Sequence, residues 1–435
     1  MSTDRPRFSI VMPTRNRARL FRSALQSALA QTHDDFEVVI SNNQSSDNTD
    51  EVARSFDDPR VRYFETDQTL PMSRNWEFAL SKARGKYVTY LCDDDAIVPS
   101  LLERVAALLD ESDRDVIYWN SAAYYHDSWI EARKRNHLVV SPLVHDVEVE
   151  SSRAALRELF NLRHFHRNYP KMLNTCLSRR LIDKVITRNG QFFQVSCPDY
   201  STITTVTALT EEMTYLHPPL MLAGVANESI GATCRRQMSS DASQQFWGEH
   251  SAEHALRWEA PLKQGSVTNA VADTILRTKR TLGDATREVE LNWPTYFVLC
   301  RSDIEDERRH GGDISELMQA WEDALQRQPG SVQSETHELW RTHLASRRAS
   351  WRSRAKEALF PWIPQRLLSC VSERQNINGR TAGFRDIAGA AVSLDQQLPP
   401  VESLVTQPTN NGFGLRAGNA LDKRYREARE ERSAV

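Results

Sequence analysis

Gly85-Lys86-Tyr87-Val88-Thr89-Tyr90-Leu91-Cys92-Asp93-Asp94-Asp95 is the stretch on which the reading of this chain turns. Residues 86–92 carry the aromatic and β-branched side chains of a buried strand. Three consecutive carboxylates follow at its carboxyl end, the place where ligands collect in an open α/β sheet. Carboxylates this close repel one another. A hard divalent cation relieves that repulsion through oxygen ligands and can also hold a diphosphate. An acidic turn ahead of the helix opened by Pro99 and Ser100 would use the same residues, so the segment alone supports either reading.

The flanks supply a sheet around it. A helix over 75–83 buries Trp76, Ala79, Leu80 and Ala83, and Gly85 falls where a C′ glycine belongs. Strands are expected at 8–12, stopped by Pro13, at 36–40 and at 61–64. Between the first two, Leu20, Phe21, Ala24, Leu25, Ala28 and Leu29 form one helical stripe, and after the second, Asp47 or Thr49 caps another helix. Downstream, Leu101, Leu102, Val105, Leu108 and Leu109 share a helix face before a strand at 115–119. Strands alternating with helices imply an α/β fold with a doubly wound, mostly parallel sheet.

Beyond residue 120 the periods loosen until about 235. From 245 to 370 the chain reads as a helical region. Residues 371–435 read as a weakly ordered tail, ending in a short charged helix near 421–432. A length of 435 residues calls for more than one compact region. With 40% hydrophobic and 26% charged residues the chain is globular, and a net charge of −3 argues against a nucleic-acid partner. The N-terminal run lacks a signal-peptide core, and no stretch of about 18 apolar residues suggests a membrane span. The six cysteines include no C-x-x-C pair, consistent with reduced thiols and a cytoplasmic setting.

Other polar clusters also sit at strand ends. Met12-Pro13-Thr14-Arg15-Asn16-Arg17 could meet a nucleotide or simply turn the chain with solvated arginines. Ser41-Asn42-Asn43-Gln44-Ser45-Ser46-Asp47-Asn48-Thr49 is a ligand loop or an ordinary Asx-rich one. Arg74-Asn75 puts a cation at a helix start, where it could reach a phosphate or stay at the surface.

Taken in order, these clusters and the G-x-Y-x-x-x-L strand running into the aspartates resemble the inverting family 2 glycosyltransferases of the GT-A fold. The resemblance covers residues 7–120 well and thins toward 235. It implies a nucleotide-sugar donor half over 7–120 and an acceptor half over 121–240. The implied donor contacts are Pro13, Thr14, Arg15, Asn42, Arg74 and Asp93. Asp94 is the implied principal ligand of a divalent cation (Mn2+ or Mg2+), and Asp95 the supporting carboxylate. Two departures stand out: Asn42 occupies the position of a base-recognising aspartate, and Cys92 that of another aspartate.

Inverting transfer also needs a base for the acceptor hydroxyl. Gly190-Gln191-Phe192-Phe193 followed by Cys197-Pro198-Asp199-Tyr200 is similar to the acceptor segment of one branch of the family, which makes Asp199 that base; capping of a helix from Ser201 is its other reading. The glycine- and serine-punctuated stretch 222–232 resembles a closing flap of the same branch, though a plain connector reads equally well. His217, beside Pro218-Pro219, reads as structural. Basic and aromatic residues over 347–364 fit either peripheral membrane contact or a helix packed on its neighbours. The implied activity is sugar transfer to a glycan or lipid-linked acceptor; the rival is a non-catalytic sugar-nucleotide-binding scaffold. A nucleotidyltransferase is disfavoured because 12–17 contains neither glycine nor lysine.

Overall fold

The computed structural model describes residues 5–141, 143–144, 146–162, 169–193, 197–229, 258–263, 266–359 and 375–410. The expected charged helix near 421–432 lies outside them.

The first strand, β1 (Phe8–Thr14), and the second, β2 (Phe36–Asn42), are buried at every residue, as strands covered on both faces must be. Their side chains divide by the pleat. Val11 and Val39 enter one core, while Phe8, Ile10, Met12, Val38 and Ile40 enter the other. Helix α1 (Ala18–Leu29) lays Leu20, Phe21, Ala24, Leu25 and Ala28 against the sheet. Helix α2 (Thr49–Arg54) follows β2, and β3 (Val61–Glu65) is the outer strand on this side. Helix α3 (Met72–Lys82) covers the opposite face with Trp76, Ala79 and Leu80, and leads to β4 (Tyr87–Tyr90). Strands β3, β2, β1 and β4 lie side by side and all run parallel.

Gly85 works differently from the expected helix cap. Ala83, not a left-handed glycine, closes α3 in extended backbone. A Cβ on Gly85 would lie 2.6 Å from the backbone nitrogen of Ser9, so glycine is needed for close approach to β1.

Past the aspartates come the short β5 (Ala96–Ile97), helix α4 (Leu101–Glu111), and β6 (Val116–Tyr125). Then follow β7 (His137–Val140), β8 (Asp146–Ser151), α5 (Ser152–Phe160), β9 (Thr175–Ser178), α6 (Arg179–Asn189), α7 (Pro198–Leu209) and β10 (Glu212–Val225). Here the sheet becomes mixed: β9 sits antiparallel between β4 and β6, and β10 runs parallel to β6.

Helices α8 (Val267–Leu282), α9 (Trp293–Arg309), α10 (Ser315–Gln326) and α11 (Gly330–Leu359) follow. Val271, Ile275, Tyr296, Phe297, Ile304 and Trp321 extend the core on the α3 side. Each fully buried side chain of this size contributes about 1.5–3 kcal/mol. The stretch 347–359 forms the end of α11, and 360–364 lies outside the described residues. No described helix is long and apolar enough to cross a membrane.

The weakly ordered tail expected over 371–435 gives way to structure within 375–410. Strand β11 (Gln375–Asn378) pairs with β7, and β12 (Val405–Asn410) pairs with β8. Between them lie the single turn α12 (Gly379–Ala382) and helix α13 (Ile387–Asp395). Ile387, Ala390, Ala391 and Leu394 of α13 enter the core beneath α1. Asp395 accepts a hydrogen bond from Ser100 at 2.5 Å, and the Pro399 carbonyl accepts one from Arg104 at 2.6 Å. The apolar run over 387–394 in this segment finds its partner in α1, distant in sequence.

Candidate functional site

The parallel strands deliver three loops to one edge. Thr14 ends β1 directly opposite Asn42 at the end of β2, and β4 stops just short of Cys92 and the aspartates. Asp47 ties the first two loops together: one carboxylate oxygen accepts from Ala18 N at 3.0 Å, the other from Thr49 N at 3.1 Å. It thereby supplies caps to the starts of both α1 and α2.

Each aspartate is held differently. Asp93 accepts the Thr14 hydroxyl at 2.9 Å and the backbone N–H of Arg15. Burial pushes its carboxyl up, the Arg17 guanidinium opposes, and the balance lies at about 6. Asp95 accepts Gly224 N at 2.8 Å, and burial followed by the Asp94 charge raises its proton affinity further. Asp94 accepts the Ser229 hydroxyl at 2.5 Å, while its backbone carbonyl meets His126 Nε2 at 2.8 Å. Glycine at 224 is required by that carbonyl, because a Cβ there would lie 1.7 Å from Asp94 O.

Arg17 is the cation of the site. Its Nη1 stands 3.4 Å from both Asp93 and Asp94, and its Nη2 donates to Glu228 O at 2.6 Å. Arg19 reaches Asp127 at 2.5 Å and Glu228 at 3.5 Å on the same rim. The sulfur of Cys92 and carboxylate oxygens of Asp94 and Asp95 lie within 4.8 Å of one another. That spacing and the mutual charge of the carboxylates fit a divalent cation, which Asp94 and Asp95 would hold with Cys92 alongside.

Asp199 lies in the first turn of α7 rather than at its N-cap, which is Cys197. Among the described residues its Oδ1 is buried without a hydrogen-bond partner. Burial raises its proton affinity, which the Lys171 charge opposes.

The other expected donor contacts divide. Pro13, Thr14 and Arg15 line the loop behind Asp93. Asn42 is 1% exposed, with its amide donating to Tyr63 Oη at 2.8 Å and its carbonyl accepting Ser45 N at 3.2 Å. Arg74 donates to Gln191 at 2.8 Å and borders a cavity of about 600 Å³ with Leu70, Glu77 and Ser81. His217 sits away from the cluster, at 3.2 Å from Glu148.

Sequence reasoning misses Arg17, Ser229, Gly224 and His126. Arg17 stands in the β1 loop beside Arg15, but nothing in the order of residues says which arginine turns inward. Gly224 and Ser229 fall in the stretch that reads as a flap or connector; residues 230–232 of that stretch lie outside the described residues.

Residues 9–188 match the family described as Glycosyl transferase family 2. These residues are a family 2 glycosyltransferase domain. Among its relatives is the GalNAc(5)-diNAcBac-PP-undecaprenol beta-1,3-glucosyltransferase of Campylobacter jejuni, 32% identical over 109 residues, covering 24% of this chain and 35% of that one. Glycosyltransferase GlyG of Streptococcus pneumoniae is 27% identical over 120 residues, covering 27% of this chain and 39% of that one. The chain thus spans little more than a third of these relatives' length. Among solved structures, S. aureus TarS 1-349 aligns with a TM-score of 0.38 at 15% identity, over 70% of this chain and 88% of that one. The mannosyltransferase PcManGT of Pyrobaculum calidifontis, in complex with GDP-Man and Mn2+, aligns at 0.37 and 18% identity, over 77% of this chain and 84% of that one. The family 2 domain contains the β1 and β2 loops and all three aspartates; Asp199, Gly224 and Ser229 lie beyond the matched residues.

Proposed function

We propose that the chain transfers a sugar from a nucleotide-sugar donor to an acceptor hydroxyl, with inversion. The observation that carries this reading is the run of Asp93, Asp94 and Asp95 at the carboxyl end of β4, where the Cys92 sulfur and carboxylate oxygens of Asp94 and Asp95 lie within 4.8 Å of one another. Pro13, Thr14 and Arg15 are assigned to the nucleoside side of the site, whereas Asn42, buried with its amide donating to Tyr63 and its carbonyl accepting from Ser45, supports that loop from behind and is not retained as a direct base contact. Arg17 supplies positive charge toward the diphosphate, a role first expected of Arg74, which we retain as a contact at the outer edge. Asp94 and Asp95 would hold a divalent cation (Mn2+ or Mg2+), which when bound would supply further positive charge toward the diphosphate.

Asp199 acts as base. Its carboxylate takes the acceptor hydroxyl proton as the hydroxyl oxygen bonds to the anomeric carbon. The bond from this carbon to the donor phosphate breaks, and nucleoside diphosphate leaves with the electron pair. A carboxylate with raised proton affinity suits this step better than a fully exposed one. The acceptor is assigned as a glycan or lipid-linked glycan, the class to which the undecaprenol-linked glycan in the Campylobacter relative's name belongs.

The test compares Asp94→Asn and Asp199→Asn with the parent protein. Transfer should fall by about 100-fold or more in each, with melting temperatures retained, and Asp199→Asn should still bind donor. Near-parental turnover in Asp199→Asn would remove it as the base. Donor binding without any transfer or hydrolysis by the parent protein would favour the scaffold reading.

A further inference from the structure

A second cavity, of about 990 Å³, opens where β6 turns back into β7 and the C-terminal segment folds over the turn. It is lined by Arg133, Arg135, His137, Arg380, Arg385 and Asp127. Asp127 is already paired with Arg19. The exposed Arg133 meets Glu131 at 3.5 Å, and Arg135 is turned toward the Trp129 carbonyl at 2.6 Å. Among the described residues, Arg380 and Arg385 have no carboxylate partner. Four guanidinium groups thus surround one cavity in a chain whose net charge is −3.

The backbone that presents them is fixed from two directions. Asn136, at φ 56°, donates through Nδ2 to Phe384 O at 3.1 Å and accepts the Tyr124 hydroxyl at 2.8 Å. Its own carbonyl accepts Gly379 N at 2.9 Å, and β11 pairs His137 with Asn378. Phe384 is 4% exposed in the core. Guanidinium groups lining one cavity draw an anion, and the guanidinium fork matches phosphate oxygens. The cavity is far larger than a single phosphate, and four arginines line it, which suits an occupant with more than one phosphate group.

We propose that this cleft binds the phosphate groups of an extended, phosphate-bearing acceptor. The proposal rests on the glycosyl-transfer reading for the word acceptor; the anion site itself does not. Asp127 belongs to the cleft wall and, through Arg19, to the rim that carries Glu228 and Arg17. An occupant of the cleft therefore lies next to the donor site without sharing its carboxylates.

The experiment uses the full chain with inorganic tripolyphosphate as probe and chelator present, so that no cation draws the probe to the aspartates. Titration calorimetry on the parent protein should show saturable binding. The double variant Arg380→Gln, Arg385→Gln should weaken it by about tenfold or more, while stabilisation by nucleoside diphosphate with Mn2+ stays at the parental level. Equal tripolyphosphate affinity in parent and variant, or none in the parent, overturns the proposal. Sedimentation with phosphatidylglycerol vesicles forms the second arm. Vesicle binding that depends on these arginines, without tripolyphosphate binding, also overturns it and makes the cleft a membrane-surface contact. Loss of transfer in the parent with intact tripolyphosphate binding would sink only the glycosyl-transfer reading.

Discussion

Replacing Arg17 with alanine should make the protein less stable and its metal binding tighter. Arg17 is 16% exposed, and its Nη1 lies 3.4 Å from carboxylate oxygens of Asp93 and Asp94. At that separation and an effective dielectric near 20, each pair amounts to about 5 kcal/mol before desolvation is subtracted. Removing one partner of a buried pair typically costs about 3–5 kcal/mol. Two features of the site reduce that figure. The 3.4 Å contacts exceed the length of a tight charge-assisted bond, and Asp93, already at about 6, takes up a proton once its cation is gone. A net cost of about 2 kcal/mol remains, or about 4–8 °C in melting temperature for a domain of this size. On the proposed reading, a divalent cation at Asp94 in the parent protein would have to displace the guanidinium. Arg17→Ala abolishes that competition, so its Mn2+ affinity should rise by about 30-fold, the equivalent of 2 kcal/mol. Melting curves across a Mn2+ series read both effects, because a ligand stabilises the fold in proportion to the logarithm of one plus its concentration divided by its dissociation constant. The reasoning fails if Mn2+ raises the two melting points equally, or if the variant binds Mn2+ no better than the parent.

Other outcomes follow from the same contacts. Gly224→Ala places a methyl 1.7 Å from Asp94 O and 2.7 Å from His126 Nε2, so the backbone must shift and Asp95 loses its N–H donor. We expect a loss of about 1–3 kcal/mol in stability and no Mn2+-induced rise in melting temperature, both read by calorimetry. Glu37 is 3% exposed; burial pushes its carboxyl up, but the Arg84 N–H, the Ser9 hydroxyl and Arg62 outweigh it and leave it below the usual glutamate value of 4.5. A depressed carboxylate stabilises the fold above its unfolded-state value and loses that contribution as pH falls through its folded-state value. Melting temperature should therefore drop as pH falls below about 4.5, and Glu37→Gln should start lower at neutral pH and show a flatter acid limb.

The donor half of the fold is legible because its elements are written in local periods. The stripe of α1 and the continuous apolar strands β1 and β2 each announce their own burial. The stretch after residue 120 lacks such signals for a physical reason: β9 inserts antiparallel between β4 and β6, and β11 finds β7 more than 230 residues upstream. Pairings of that kind depend on register across distant segments, and no short window of sequence records them. Segment 375–410 shows the same limit. Helix α13 is itself an apolar run over 387–394, but nothing local in it says that its partner is α1, more than 350 residues upstream.

Within the site, composition locates the three aspartates but treats them as equivalent, whereas their partners separate them. Asp93 and Asp95 are each anchored by a backbone N–H, from Arg15 and Gly224, groups that cannot leave without moving the chain. Asp94 is held through its carboxylate by Arg17 and Ser229, two side chains that can rotate away. On the proposed reading, a cation there would exchange those partners at the cost of rotamers alone. Asp94 is for that reason the carboxylate best able to serve as principal ligand. The same exchange would release Glu228 O and the Ser229 hydroxyl, so occupancy at Asp94 and the position of the segment that ends β10 are linked through one arginine.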